Sequence, residues 1–90
     1  MKESLTNWRK QIDKLDEELL NVLAERINIV REIGEHKKTY GIPPLDEKRW
    51  QEVLQSKLFK ARSLNIPEKF IEKLYSLIHE HSLEIENKRK

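Results

Sequence analysis

The sequence predicts an all-α fold: three helices per chain, the first very long, assembled as an intertwined homodimer. Three observations predict it. A seam with helical period runs through the first third of the chain, Gly/Pro/Asn clusters interrupt the pattern at two places, and no run alternates polar and apolar residues as a strand would. The seam reads Leu5, Trp8, Ile12, Leu15, Leu19, Val22, Arg26, Ile29 and Ile33 in steps of three and four, and one more step reaches Lys37. Such spacing is the stripe that one helix buries.

The first helix is expected from about Leu5 to about Lys38, with Ser4 or Thr6 as its cap. It ends before Tyr40-Gly41-Ile42-Pro43-Pro44, where a glycine and two prolines force a loop. Asp46 suits the N-cap of a second helix, which carries Trp50, Val53, Leu54, Leu58 and Ala61 on one face. Asn65-Ile66-Pro67 breaks the chain again, and Pro67 fits the first turn of a third helix with Phe70, Ile71, Leu74, Tyr75, Ile78 and Ile85. Residues 1–90 read as a single domain without repeats or low-complexity segments.

Length sets the architecture. Thirty-odd helical residues span about 50 Å, whereas a compact chain of this size has a radius of gyration of only about 12 Å. The first helix must overhang its own domain, and another copy of the chain is what can cover the seam from Leu5 to Val22. The alternative is a monomeric three-helix bundle with the first helix kinked at Gly34.

Composition agrees with assembly. Only 37% of the 90 residues are hydrophobic and 38% are charged, so one chain has little apolar material to bury. There is no cysteine, hence no disulfide framework, which also fits a reducing compartment. The opening MKESLTNWRKQ lacks an apolar core of signal-peptide length, and no run approaches the roughly 20 apolar residues of a membrane span. These features predict a cytoplasmic protein without a membrane partner. The 18 basic and 16 acidic side chains nearly balance, which argues against a nucleic-acid partner. The short basic tail Lys88-Arg89-Lys90 reads as a solvated helix end.

Arg26 is the exception within the seam. A cation on a buried face is costly unless it is paired, so Arg26 and Lys37 on one stripe suggest a site for an anion. Other polar residues fall on or beside apolar faces: Arg9 on the first helix, Asp46 and Arg49 next to Trp50 in the first turn of the second, and Ser82 with Glu86 one turn apart on the third. Taken singly, Arg9 and Arg49 read as surface residues lying over apolar neighbours, Asp46 as a cap and Glu86 as exposed. Together, three arginines and a lysine suit a small ligand with more than one carboxylate, because arginine binds carboxylates through two parallel hydrogen bonds. The histidines add nothing to this expectation. His79-Glu80-His81 sets two imidazoles on different sides of a helix, unlike a zinc-binding His-Glu-x-x-His, and His36 reads as exposed; no metal or cofactor is expected.

The segment from Trp8 through Arg9, Asp13, Asp16, Glu17, Glu18 and Leu20 resembles the opening of the all-helical chorismate mutases. Leu23-Ala24-Glu25-Arg26, Ile33-Gly34-Glu35-His36-Lys37, Asp46-x-x-Arg49 and a serine four residues before Glu86 extend the resemblance over nearly the whole chain. It implies an intertwined dimer whose two sites are each lined by both subunits, and the Claisen rearrangement of chorismate to prephenate in phenylalanine and tyrosine biosynthesis, without cofactor or metal. It further implies that Arg26 and Arg49 of one subunit and Arg9 of the other hold the two carboxylates. Lys37 would donate to the ether oxygen, Asp46 would position the hydroxyl and Ser82 would touch a carboxylate.

Two positions depart from the common pattern. Trp50 stands where a glutamate often follows the second-helix arginine, and Glu86 where a glutamine often stands. A glutamate donates to the ether oxygen only when protonated, so activity is expected to rise as pH falls from about 8 toward about 5. Two other readings compete: an isochorismate–pyruvate lyase on the same scaffold, and a non-catalytic helical dimerisation or regulatory module. Some small mutases of this kind work with an aromatic-pathway synthase, which is therefore a possible partner.

Overall fold

The structure, a computed structural model, describes residues 2–88 and contains three helices: α1 (Lys2–Tyr40), α2 (Glu47–Ser63) and α3 (Glu68–Lys88). No strand occurs among the described residues. Arg89 and Lys90 of the basic tail lie outside them.

Helix α1 runs unbroken through Gly34 for 39 residues, so the kink required by a monomeric bundle is absent. It also begins earlier than expected. Ser4 and Thr6 sit inside it rather than at its cap, with Glu3 in the first turn, where a carboxylate favours the positive end of the helix dipole. The helix ends where Gly41 takes a positive φ of 66°, the left-handed conformation that glycine adopts without a Cβ clash. The Ile42 N–H then donates to the Lys37 carbonyl at 2.8 Å and the Gly41 N–H to that of Lys38 at 3.4 Å. This closure folds Pro43 and Pro44 back beside the Lys37 side chain.

Asp46 caps α2 as expected, its Oδ1 accepting from the Arg49 N–H at 3.0 Å. The end of α2 repeats the geometry of α1. Asn65 takes φ 59°, its N–H donates to the Arg62 carbonyl at 3.2 Å, and the Ile66 N–H donates to that of Ala61 at 2.9 Å. Pro67 lies immediately before α3 rather than within its first turn, and its carbonyl accepts the first helical hydrogen bond, from the Ile71 N–H at 3.2 Å.

Helix α3 packs against both α1 and α2, which stand apart from each other and leave a cleft over α3. The molecule is elongated, 58 × 24 × 15 Å, with a radius of gyration of 16.8 Å against about 12 Å for a compact chain of this length. The long dimension is that of α1 itself at 1.5 Å per residue. Among the described residues the buried apolar side chains are Val30, Ala61 and Ile71 alone. The seam is bare: Leu5, Trp8, Ile12, Leu15, Leu19, Val22, Ile29 and Ile33 are 42–64% exposed in the single chain. Among the described residues no helix is long and apolar enough to cross a membrane.

Candidate active site

The cleft between α1 and α2, floored by α3, is a cavity of about 320 Å³. Helix α1 contributes Arg26, Val30, Ile33 and Lys37, at steps of four, three and four, so all four point the same way. Helix α3 contributes Tyr75, His79, Ser82 and Glu86 at the same steps, together with Leu83. Asp46, Arg49, Trp50 and Val53 line it from the start of α2, and Pro44 from the loop.

Two side-chain contacts tie the α1 ladder to the α3 ladder. Arg26 Nη1 donates to Ser82 Oγ at 3.3 Å. Eleven residues further along α1, Lys37 Nζ lies 2.7 Å from Glu86 Oε1. That contact has the distance of an ion pair without hydrogen-bond angles, so Oε1 is buried and accepts no directed hydrogen bond. The directed hydrogen bond of the ammonium goes to the Pro44 carbonyl, also at 2.7 Å. Lys37 is thus held by the loop that its own helix end folds back, and by α3. Glu86 is the one buried charged residue among those described, at 8% exposure. A buried carboxylate needs a cation, and Lys37 supplies it.

Six residues singled out from the sequence therefore meet in one cavity: Arg26, Lys37, Asp46, Arg49, Ser82 and Glu86. Arg9 does not. It is exposed, and the seventeen residue steps of α1 from it to Arg26 place it about 25 Å away. Asp46 uses Oδ1 to cap α2, and among the described residues its second carboxylate oxygen accepts no hydrogen bond. Glu86, which reads as exposed when taken singly, is instead buried.

His79, to which the sequence reading gave no part in the site, lines the cavity and stacks on Trp50 with ring centroids 4.1 Å apart and planes 7° from parallel. The signal was present, since stepping back from Glu86 and Ser82 at helical spacing reaches His79 and then Tyr75. His36 is exposed as expected and packs against Tyr40 with centroids 4.7 Å apart.

The arrangement offers two guanidiniums and an ammonium around a partly apolar cleft. It can hold a compact dianion and place a cation against an oxygen that gains charge. Among the described residues that line the cleft, the one serine hydroxyl accepts from Arg26 and is paired with no base.

Comparison with known proteins points to the same chemistry. The family model for chorismate mutase type II matches residues 8–87. The T-protein of Enterobacter agglomerans is 37% identical over 83 residues, which cover 92% of this chain and 22% of that protein. The bifunctional chorismate mutase/prephenate dehydratase of Buchnera aphidicola is 31% identical over 85 residues, covering 94% of this chain and 22% of that protein. The chorismate mutase of Methanocaldococcus jannaschii is 29% identical over 82 residues, covering 91% of this chain and 83% of that one. The chain spans about a fifth of the length of the T-protein and the bifunctional enzyme. With the match running from Trp8 to Asn87, the chain belongs to the chorismate mutase type II family.

Proposed function

We infer that the chain converts chorismate to prephenate as an intertwined homodimer. The observation that carries this reading is the cavity that gathers Arg26, Lys37 and Arg49 with Ser82, Asp46 and Glu86. The reaction is pericyclic: an ether carbon–oxygen bond breaks as a carbon–carbon bond forms, with no proton transferred and no covalent intermediate. The protein's task is to fold the dianion into its reactive conformer and to meet the charge growing on the ether oxygen.

Arg26 and Arg49 take the substrate's carboxylates, with Ser82 beside Arg26. Lys37, fixed by Pro44 and Glu86, donates to the ether oxygen. The free oxygen of Asp46 accepts from the substrate hydroxyl. Glu86, as a carboxylate, holds Lys37 toward that oxygen.

The second subunit is part of the reading. The bare seam on α1 needs a partner helix, since eight large apolar side chains left in water cost more than a domain of this size can spare. An antiparallel copy of α1 laid on that seam brings the partner's amino-terminal half toward this cavity. Arg9 of that copy then reaches the carboxylate end that Arg9 of the same chain cannot reach.

The test is direct. Purified protein is given chorismate, and its loss and the appearance of prephenate are followed. Turnover that is abolished by Arg26→Ala supports the mutase. Release of pyruvate from isochorismate in its place assigns the lyase, and no turnover of either substrate assigns a binding module.

A further inference from the structure

We propose that His79 is a substrate-binding residue, donating an imidazole N–H to the substrate carboxylate on the Ser82 side, and that Trp50 is the positioning residue that aims it. The inference rests on the dianion-binding reading of the cavity above. The His79 ring lines the cavity one helical turn before Ser82, about 4.5 Å along α3. Ser82 Oγ is where the Arg26 guanidinium arrives, at 3.3 Å, which marks the carboxylate end of the site. Stacking on Trp50 at 4.1 Å and 7° fixes the plane of the imidazole across the α2–α3 interface.

The ring edge is left open. No hydrogen bond to either imidazole nitrogen forms among the described residues, and neither nitrogen is fully buried. A neutral imidazole always has one N–H to give. The ring is half-buried in a cavity that Arg26 and Arg49 also line, so the group that satisfies it is an acceptor the arginines also attract. Interhelical packing alone would be met by any flat ring; the open nitrogens are what a ligand uses.

The carboxylate keeps its charge through the rearrangement, so a hydrogen bond to it is made equally in ground and transition states. Its loss falls more on KM than on kcat. His79→Phe keeps the stack and removes the N–H, and is expected to lower kcat/KM for chorismate about tenfold, the larger part in KM. His79→Gln restores an N–H and recovers most of that loss. Trp50→Phe keeps the face and stays within about twofold of wild type, while Trp50→Leu loses about as much as His79→Phe. The double variant Trp50→Leu/His79→Phe is no worse than His79→Phe alone, because both changes remove the same contact. A wild-type KM in His79→Phe, or full additivity of the two losses, overturns the proposal.

A readout on the unmodified protein guards against variants that do not fold. The imidazole nitrogen resonances of His79 are expected to shift on saturation with prephenate, and unmoved resonances overturn the proposal. Failure of the mutase reading is separate: it appears as absent wild-type turnover, and the resonance titration with chorismate itself then decides whether His79 meets the dianion.

Discussion

Replacing Lys37 by methionine separates two jobs that one ammonium performs. On the proposed reaction Lys37 donates to the oxygen that gains charge, and removing such a donor costs on the order of 100- to 1000-fold in kcat. The same ammonium is the cation for Glu86, 2.7 Å away and 8% exposed, so Lys37→Met also leaves a buried carboxylate alone. Breaking one side of a buried pair costs about 3–5 kcal/mol, and the lower end applies because the Lys37 side chain is still 19% exposed. The Pro44 carbonyl loses its donor too, at about 1 kcal/mol. Adding Glu86→Gln removes the orphaned charge and is expected to return all but that last 1 kcal/mol or so, while turnover stays lost. The assays are chorismate consumption and urea unfolding, the latter at one fixed protomer concentration because the stability of a dimer depends on it. A Lys37→Met protein as stable as wild type refutes the ion-pair argument, and a double variant that regains turnover refutes the role of Lys37 as donor.

Three further outcomes are expected. Arg9→Ala and Arg26→Ala chains are each inactive alone, but a refolded equal mixture recovers about a quarter of wild-type turnover, since half the dimers are mixed and each has one intact site; a mixture as dead as its components means that Arg9 does not cross between subunits. Leu15→Glu, on the bare seam, places two carboxylates in the dimer interface and should give monomers in sedimentation equilibrium, with activity lost alongside; an undiminished dimer would move the interface off this face. Glu86→Gln keeps a donor at the ether oxygen without the carboxylate and is expected to stay within about tenfold of wild-type turnover, whereas Glu86→Ala loses both the hold on Lys37 and the hydrogen-bonding group. A Glu86→Ala protein as active as wild type removes Glu86 from the chemistry.

What the sequence made legible follows from contrast. Arg26 and Lys37 stand out because they interrupt an apolar stripe whose period fixes their direction, and Asp46 because a capping residue stands directly after a proline loop. Glu86 was harder to read: on α3 charged and apolar residues interleave, and its burial depends on Lys37 arriving from a helix fifty residues earlier. The Trp50–His79 stack was not legible at all. Both residues have helical neighbours that explain them locally, and the rotation that brings their rings to 4.1 Å is set by how α2 settles on α3, which no local pattern encodes. The cap of α1 was misplaced for a different reason, since serine and threonine tolerate a helix interior and a cap is favoured without being obligatory.

The seam and the site are one stripe, which in the proposed dimer ties catalysis to assembly. From Leu5 to Val22 the stripe is apolar and bare; at Arg26 it becomes the wall of the cavity, and at Lys37 it meets Glu86. A single helical phase therefore decides both where the partner lies and where the cations point. In a compact monomer the two functions could vary separately. Here a change that rotated the first half of α1 relative to the second would turn the seam away from its partner, or Arg26 and Lys37 away from α3. The unbroken helix from Lys2 to Tyr40 is what prevents it, and in the proposed dimer the length that takes α1 past its own domain also carries Arg9 to the other chain's site.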